Sequence, residues 1–518
     1  MNIKVDNEKF LKGTVSVSIA VILTKIMGVL YKVPLSYVLG DEGMGYFNSA
    51  YALYSFFYIL CASGVPKAIT LTIIKHRQHG TSLELEVMKS GFKIFTAIGA
   101  AITLISIVFA PVLTNIIGSK GSFYTILAIS PAILFVSIGG VLKGCLNTYN
   151  KLTEIAVSQL IEAFLKLLLG LAMGFIAYRM KLHITLISAM CVLGITLGSA
   201  ISDLYLWVCY KSVFKNDISR QNMKPDKQDI ARDMLKIAMP ISFGAAVLNF
   251  GGIIDLWIIM RRLGDMGYPE SERISIYGNY TTLAVPMFNL VVSLISPLML
   301  AFLPHLADSF KRNDKQLLAD TTSRMCTVCN LIAVPAFFSF YFYSFDILDI
   351  LFSVNSSAFA AELLRALSFA VVLISLLTVV NTVLEAKGKI GVAVFSLIVG
   401  GVVKAVCNYI LIARYGILGA PLSTLISYAV SLMISLVAIR IFGIKISLYK
   451  NCLPEIVVGF ILFAIPYMSI YSVGKIKGEL VSLALCISVS AVAYLFFLFS
   501  RVYICTAKEY KKCTKSKE

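Results

Sequence analysis

Charge is what this 518-residue chain has least of: 14% of its residues are Asp, Glu, Lys or Arg, and 58% are hydrophobic. Soluble domains carry about 25% charged residues, so a water-soluble enzyme or binding module is excluded at the outset. Long polar loops are missing too, apart from the segment 212–235 and the C-terminal tail. A membrane glycosyl- or acyltransferase gathers acidic or histidine groups on sizeable loops, and no outer loop here combines the two, so no catalytic residue is predicted. The 11 cysteines show no paired spacing in outer loops, which excludes a disulfide framework. The one close pair, Cys326 and Cys329 in "CTVC", opens an apolar span without further ligands and reads as small packing residues. His76 and His79 in "KHRQHG" lack a third or fourth ligand, so no metal site is predicted. There is no G-x-x-x-x-G-K-[ST] run, which removes direct use of ATP.

What the chain has in abundance is apolar sequence in runs of about 20 residues, the length that crosses a bilayer as a helix. These runs predict an all-α integral membrane protein of about fourteen spans. They lie at roughly 14–39, 44–74, 92–117, 122–147, 154–178, 184–211, 236–260, 276–306, 325–345, 363–386, 390–413, 417–440, 453–473 and 479–501. The first run has no small-residue cleavage site and reads as a retained helix. Basic residues fall on one side of this layout. Lys4, Lys9, Lys12, Lys75, Arg77, Lys89, Lys93, Lys143, Lys151, the segment 212–235 and the tail "AKEYKKCTKSKE" share it, while the acidic "GDEG" at 40–43 lies opposite. Positive-inside bias then puts both termini in the cytoplasm. The net charge of +18 becomes a surface facing anionic lipid. Spread over short loops, these charges do not form the contiguous face that nucleic acid requires.

The basic segment 212–235 divides the spans into six and eight. Sliding "FVSIGGVLKGCLNTYNKLTEIAVSQLIEAFLK" by 238 residues onto "LISLLTVVNTVLEAKGKIGVAVFSLIVGGVVK" pairs Ser137 with Ser375, Lys151 with Lys389, Ser158 with Ser396 and Lys166 with Lys404. Such self-similarity marks repeated transporter halves. The expected organisation is an N-terminal lobe at 1–211, the linker at 212–235, a second pseudo-symmetric six-helix lobe at 236–441, and two added helices with a basic tail at 442–518.

Some charges lie within the spans. A cation at the bilayer centre costs roughly 2.5–3.5 kcal/mol on insertion scales, so ionisable groups there usually face a protein interior or a water-filled cavity. Lys25, Lys32, Lys67, Lys166 and Lys404 are the candidate cations, and Glu162, Asp203 and Asp255 the acids that answer them or hold a coupling ion. Lys25 and Lys32 are seven residues apart and share one helical face, with Gly28 between them. Blander readings stand beside these: Lys32 and Lys67 within snorkelling distance of an interface, Glu162 and Lys166 neutralising each other at i, i+4, Asp203 in a helix–helix hydrogen bond. The set is net basic, which suits anions, and a lysine ammonium is a mobile point charge for phosphate oxygens. Gly28, Pro34, Gly64, Pro66, Pro240, Pro286 and Pro297 lie inside or near span ends as candidate hinges.

At these residues the chain resembles the multidrug/oligosaccharidyl-lipid/polysaccharide exporter superfamily. The likeness is to its polysaccharide-transporter branch typified by stage V sporulation protein B, beside the MviN-type lipid II flippases. It is carried by "KGTVSVSIAVILTKIMGVLYKVPLSYVLGDEGMGYFNSAY", "ASGVPKAITLTI", "PAILFVSIGGVLKGCLNTYNKLTEIAVSQLIEAFLKL" and "LKIAMPISFGAAVLNFGGIIDLWII", and it covers essentially the whole chain. The resemblance implies a bacterial cytoplasmic-membrane flippase with a central cationic cavity. It would move an undecaprenyl-pyrophosphate-linked saccharide, lipid II or a polysaccharide repeat unit, to the outer leaflet by alternating access. No cofactor is expected; the energetics of moving charge across the membrane leave coupling to the membrane potential, or to a monovalent cation at Asp255 or Glu162, open. The family's usual arginine is Lys25 in "TKIMG" and Lys143 in "VLKG" here, which keeps the charge and loses the fork geometry. "LYKV" stands where the lipid II branch carries an arginine followed by an aspartate, a departure from that branch. The rival within the superfamily is a cation-coupled multidrug exporter, for which twelve spans and acidic lobes are expected.

Overall fold

An open chain in lipid can satisfy its own backbone only as helix, and every regular element among the described residues is helical. The structure is a computed structural model that describes residues 3–78, 84–214, 227–352, 357–444, 449–473, 486–490 and 492–497. The first helices are α1 (Ile3–Ala62), α2 (Gly64–Gln78), α3 (Glu84–Val108), α4 (Ala110–Ile117), α5 (Phe123–Thr148) and α6 (Leu152–Arg179). Then come α7 (Ile184–Phe214), α8 (Lys227–Asp265), α9 (Glu270–Asn279), α10 (Val285–Ala301), α11 (Leu303–Lys311) and α12 (Lys315–Phe342). The last are α13 (Ser344–Phe352), α14 (Ser357–Ala386), α15 (Ile390–Tyr415), α16 (Gly419–Ile441) and α17 (Tyr449–Val473).

Among the described residues, 10 segments are long and apolar enough to cross a membrane. Two of them run through more than one expected span: Leu30–Lys75 holds the end of the first and the whole of the second, and Ile390–Ile441 holds those at 390–413 and 417–440. Each is broken at a glycine, Gly40 at φ 60° and ψ −171° and Gly416 at φ 60° and ψ −149°. These angles are open only to a residue without Cβ, so a single glycine makes the break. Val457–Met468 and Cys486–Phe497, where the last two spans are expected, are shorter apolar helices, so the count of fourteen stays an expectation of the sequence.

Packing divides the chain into two compact units, Met1–Thr282 and Leu283–Glu518. α8 and α9 pack on α1, which carries the first unit past the linker at 212–235, a boundary drawn from composition and repeat. Residues 215–226 of that linker lie outside the described residues. In the first unit an apolar core forms where α2, α3, α5, α7 and α8 meet, through Ile69, Val87, Leu142, Leu206 and Met234. α6 shows how these helices sort their faces: Phe164, Leu168 and Phe175 are exposed, whereas Ser158, Gly170 and Gly174 are buried. Large apolar groups outside and small residues inside are the arrangement that lipid favours, because close backbone approach replaces hydrophobic drive. A Cβ on Gly194 of α7 would overlap the backbone of Gly170, so these two glycines set the α6–α7 crossing.

In the second unit α14, α15 and α16 are joined by a buried hydroxyl seam. Ser427 Oγ donates to Gly400 O at 2.7 Å, Ser431 Oγ to Ser396 O at 3.0 Å and Ser435 Oγ to Asn381 Oδ1 at 2.8 Å. The helix at 486–497 and α17 dock on α12 through Phe338, Tyr343, Phe463 and Tyr494. Beneath these rings the buried Glu455 accepts from Asn330 Nδ2 at 2.6 Å. Cys326 and Cys329 are both buried in α12, and Cys329 Sγ points at Ser375 O, 3.5 Å away.

Candidate functional site

The described candidates that come together lie in the first unit, on α1, α5, α6, α7 and the turn after α9. That turn, Tyr280–Ala284, is π-helical. In a π-helix the carbonyl of Thr281 takes its donor five residues on, at position 286. Position 286 is proline and has no N–H. The ammonium of Lys32 donates to Thr281 O instead, at 3.0 Å, and reaches Asn48 Oδ1 at 3.5 Å. Asn48 Nδ2 in turn donates to Thr282 Oγ1 at 2.7 Å. Pro286, expected as a hinge, thus leaves the carbonyl that Lys32 occupies. Two glycines bring the segments close enough: a Cβ on Gly45 would overlap Ile274 O, and one on Gly278 would overlap Asp41 O.

Glu162 and Lys166 stand one turn apart on α6, and that spacing invites an ion pair. The structure separates them. Glu162 Oε1 accepts from Ser199 Oγ at 3.2 Å, and its Oε2 lies 3.9 Å from Lys143 Nζ of α5. Lys166 turns to rings instead: its Nζ sits 4.8 Å from the Tyr51 centroid and 5.8 Å from that of Tyr31, a cation–π seat. The Tyr31 hydroxyl is held by donation to Cys191 O at 3.2 Å. Lys32 and Lys166 are near enough to repel one another. Among the described residues neither has a carboxylate within ion-pair distance. Two like charges so placed are stabilised only by neutral dipoles and ring faces, and an anion with several oxygens would complete them.

Asp203 of α7 reaches the same neighbourhood and feels the charges of Lys143 and Glu162. Its Oδ1 lies against Gly139, where a Cβ would overlap it, and its Oδ2 is buried with no hydrogen-bond partner among the described residues. Asp255 lies on α8 and acts electrostatically on Tyr277. Lys67 is exposed on α2, and Lys404 is partly buried on α15 in the second unit. The side chain of Lys25 lies outside the described residues. Of the expected hinges, Pro34, Pro240 and Pro297 stand inside α1, α8 and α10, and Gly28 faces open space. Gly64 serves close approach, since a Cβ there would overlap Ser242 Oγ. Pro66 packs its carbonyl on Gly144 and accepts from Thr70 Oγ1 at 2.9 Å.

Lys143, Tyr51 and Asn48 are partners in the site that the set of intramembrane charges does not include. Lys143 falls with the cytoplasmic charges by side, yet the expected span 122–147 contains it, and that placement is the available signal. Tyr51 and Asn48 sit in "YFNSAYALY", where polar groups recur inside an apolar run.

Residues 10–310, more than half of the chain, match the family described as polysaccharide biosynthesis protein. Stage V sporulation protein B of Bacillus subtilis (strain 168) is 23% identical over 508 residues, spanning 95% of this chain and 95% of that protein. Lipid II flippase MurJ of the same strain is 23% identical over 497 residues, spanning 92% of this chain and 90% of that one. The solved structure of lipid II flippase MurJ in an inward closed conformation superposes with a TM-score of 0.72 at 16% identity. It covers 94% of this chain and 99% of that one, and it establishes a shared fold. A multi-pass helical chain that matches this family over more than half its length belongs to it: this is a membrane protein of the polysaccharide biosynthesis family.

Proposed function

We propose that the chain turns a polyprenyl-pyrophosphate-linked saccharide over from the inner to the outer leaflet of a bacterial cytoplasmic membrane, by alternating access and without ATP. One observation carries the reading: inside an apolar chain the amino groups of Lys32 and Lys166 meet neutral oxygens and tyrosine rings, with no carboxylate in ion-pair distance among the described residues. A pyrophosphate supplies the charge they lack, and compact ammonium groups can follow its oxygens as it moves. The full-length likeness to a protein named as a lipid II flippase supports the same class of cargo. Lys25, Lys67 and Lys404 are further cations of the pathway in this proposal. Glu162, Asp203 and Asp255 answer the charges or bind a coupling monovalent cation. Both termini face the cytoplasm, and the basic loops rest on the anionic leaflet. Each charge crossing 100 mV is worth about 2.3 kcal/mol, so an inside-negative potential drives the anion outward and the emptied cationic site back inward.

Native mass spectrometry tests this with a polyprenyl diphosphate saccharide added to the detergent-purified chain and to its Lys32→Ala, Lys166→Ala variant. Retention by the native chain with loss by the variant is the expected result. Equal retention by both would remove the lysines from the site. No retention by either would end the flippase reading.

A further inference from the structure

Tyrosine recurs along the second half of α1 where a span could have used leucine. Phe47, Tyr51, Tyr54 and Tyr58 form one stripe, with successive ring centroids 6.2, 5.8 and 5.7 Å apart. Tyr54 is buried and shares a hydrogen bond with Ser199, while Tyr51 and Tyr58 are partly exposed. A phenol facing hydrocarbon would leave its hydroxyl unpaired, so a stripe of them marks a face that meets polar matter. The charged groups lie beside this stripe: Lys166 over the Tyr51 ring, and Glu162 within electrostatic reach of Tyr54 and Tyr58.

Tyr51 differs from the other rings because an ammonium covers it. Among the described residues Lys166 has no carboxylate in ion-pair distance, and its ammonium sits over this ring and, at longer range, Tyr31. A diphosphate is a far stronger partner for an ammonium than a ring face. When the ammonium moves to phosphate, the Tyr51 ring is uncovered beside the bound diphosphate. The group covalently attached to that diphosphate is the first sugar, whose C–H face is apolar and whose rim is hydroxyl. We infer that Tyr51 is a saccharide-stacking residue, covered by Lys166 until a diphosphate draws the ammonium away. The inference rests on the transport reading above and assigns the sugar end of the same cargo. Tyr54 and Tyr58 continue the stripe as hydroxyl partners for sugars beyond the first.

Two probes separate the inference from the reading beneath it: a polyprenyl diphosphate, and the same lipid carrying one N-acetylhexosamine. Their dissociation constants are measured on the full chain, on Tyr51→Leu and on Tyr51→Phe. The native chain should prefer the sugar-bearing lipid by about tenfold, a preference Tyr51→Leu loses and Tyr51→Phe keeps. Thermal unfolding close to that of the native chain reports that both variants fold. If Tyr51→Leu keeps the preference, the stacking role is wrong and the flippase reading stands. If Tyr51→Leu loses both lipids equally, the ring serves only to seat Lys166, and the inference fails. A native chain that binds neither lipid overturns the inference together with the reading on which it rests.

Discussion

The ammonium of Lys143 stands 3.9 Å from the carboxylate of Glu162, across two helices, although Lys166 is one turn from the same acid. Removing one partner of such a pair leaves a charge facing a medium that solvates it poorly. Both side chains keep about a fifth of their exposure, 21% and 24%, so the effect falls short of that for a fully buried pair. Lys143→Met should destabilise the protein by about 1–3 kcal/mol, and adding Glu162→Gln should restore most of the loss. Thermal unfolding in detergent checks this as a double-mutant cycle. Strictly additive losses would mean that the two residues do not act on one another.

Lys32 supplies the donor that Pro286 cannot give to Thr281 O. Lys32→Met should leave that carbonyl unpaired and cost about 1–3 kcal/mol. Pro286→Ala restores an N–H at the required position. In the Lys32→Met background it should therefore recover roughly 1 kcal/mol, and in the native background it should recover nothing. The same gain in both backgrounds would point to helix propensity and away from the missing donor.

Gly45 and Gly278 meet where α1 crosses α9, with no room for a methyl group on either. Gly278→Ala should cost about 1–3 kcal/mol by forcing the segments apart. It should also loosen the hydrogen bond from Asn48 to Thr282, a few residues further along the chain. Hydrogen exchange over 274–282 is the measurement, and unchanged protection there would refute the contact.

Glu455 supplies an acceptor to a buried amide. Asn330 Nδ2 donates to it at 2.6 Å inside the second unit, and a glutamine would offer a carbonyl oxygen in the same place. Glu455→Gln should keep that hydrogen bond and melt above Glu455→Ala. Glu455→Ala should lose about 1–3 kcal/mol by stranding the buried Asn330 amide. Equal melting of the two variants would contradict this role.

The apolar runs made the helical membrane class legible, and subtracting the loop charges was enough to single out Lys32, Lys166, Glu162 and Asp203. What stayed hidden was which group each charge faces. The i, i+4 rule describes an isolated helix in water, where Glu162 and Lys166 have only each other. In a bundle the rotation of α6 decides, and it aims Glu162 at α5 and α7 while Lys166 faces the rings of α1. The π-helical turn was hidden for a related reason: "AVPMF" shows the proline, but the hydrogen bond it deletes appears only once Lys32 arrives from 249 residues away. Gly40, read as part of an acidic loop, is instead a break within one continuous helical segment.

That break has a mechanical consequence. Lys32 and Tyr51 sit on opposite arms of the same element, with one left-handed glycine between them and no slack of loop to absorb a displacement. A tug on the arm holding Lys32 is therefore passed through Gly40 to the arm holding Tyr51, as through the fulcrum of a lever. Any other residue at position 40 would stiffen or shift that fulcrum, because its side chain resists the angles at which the arms now meet.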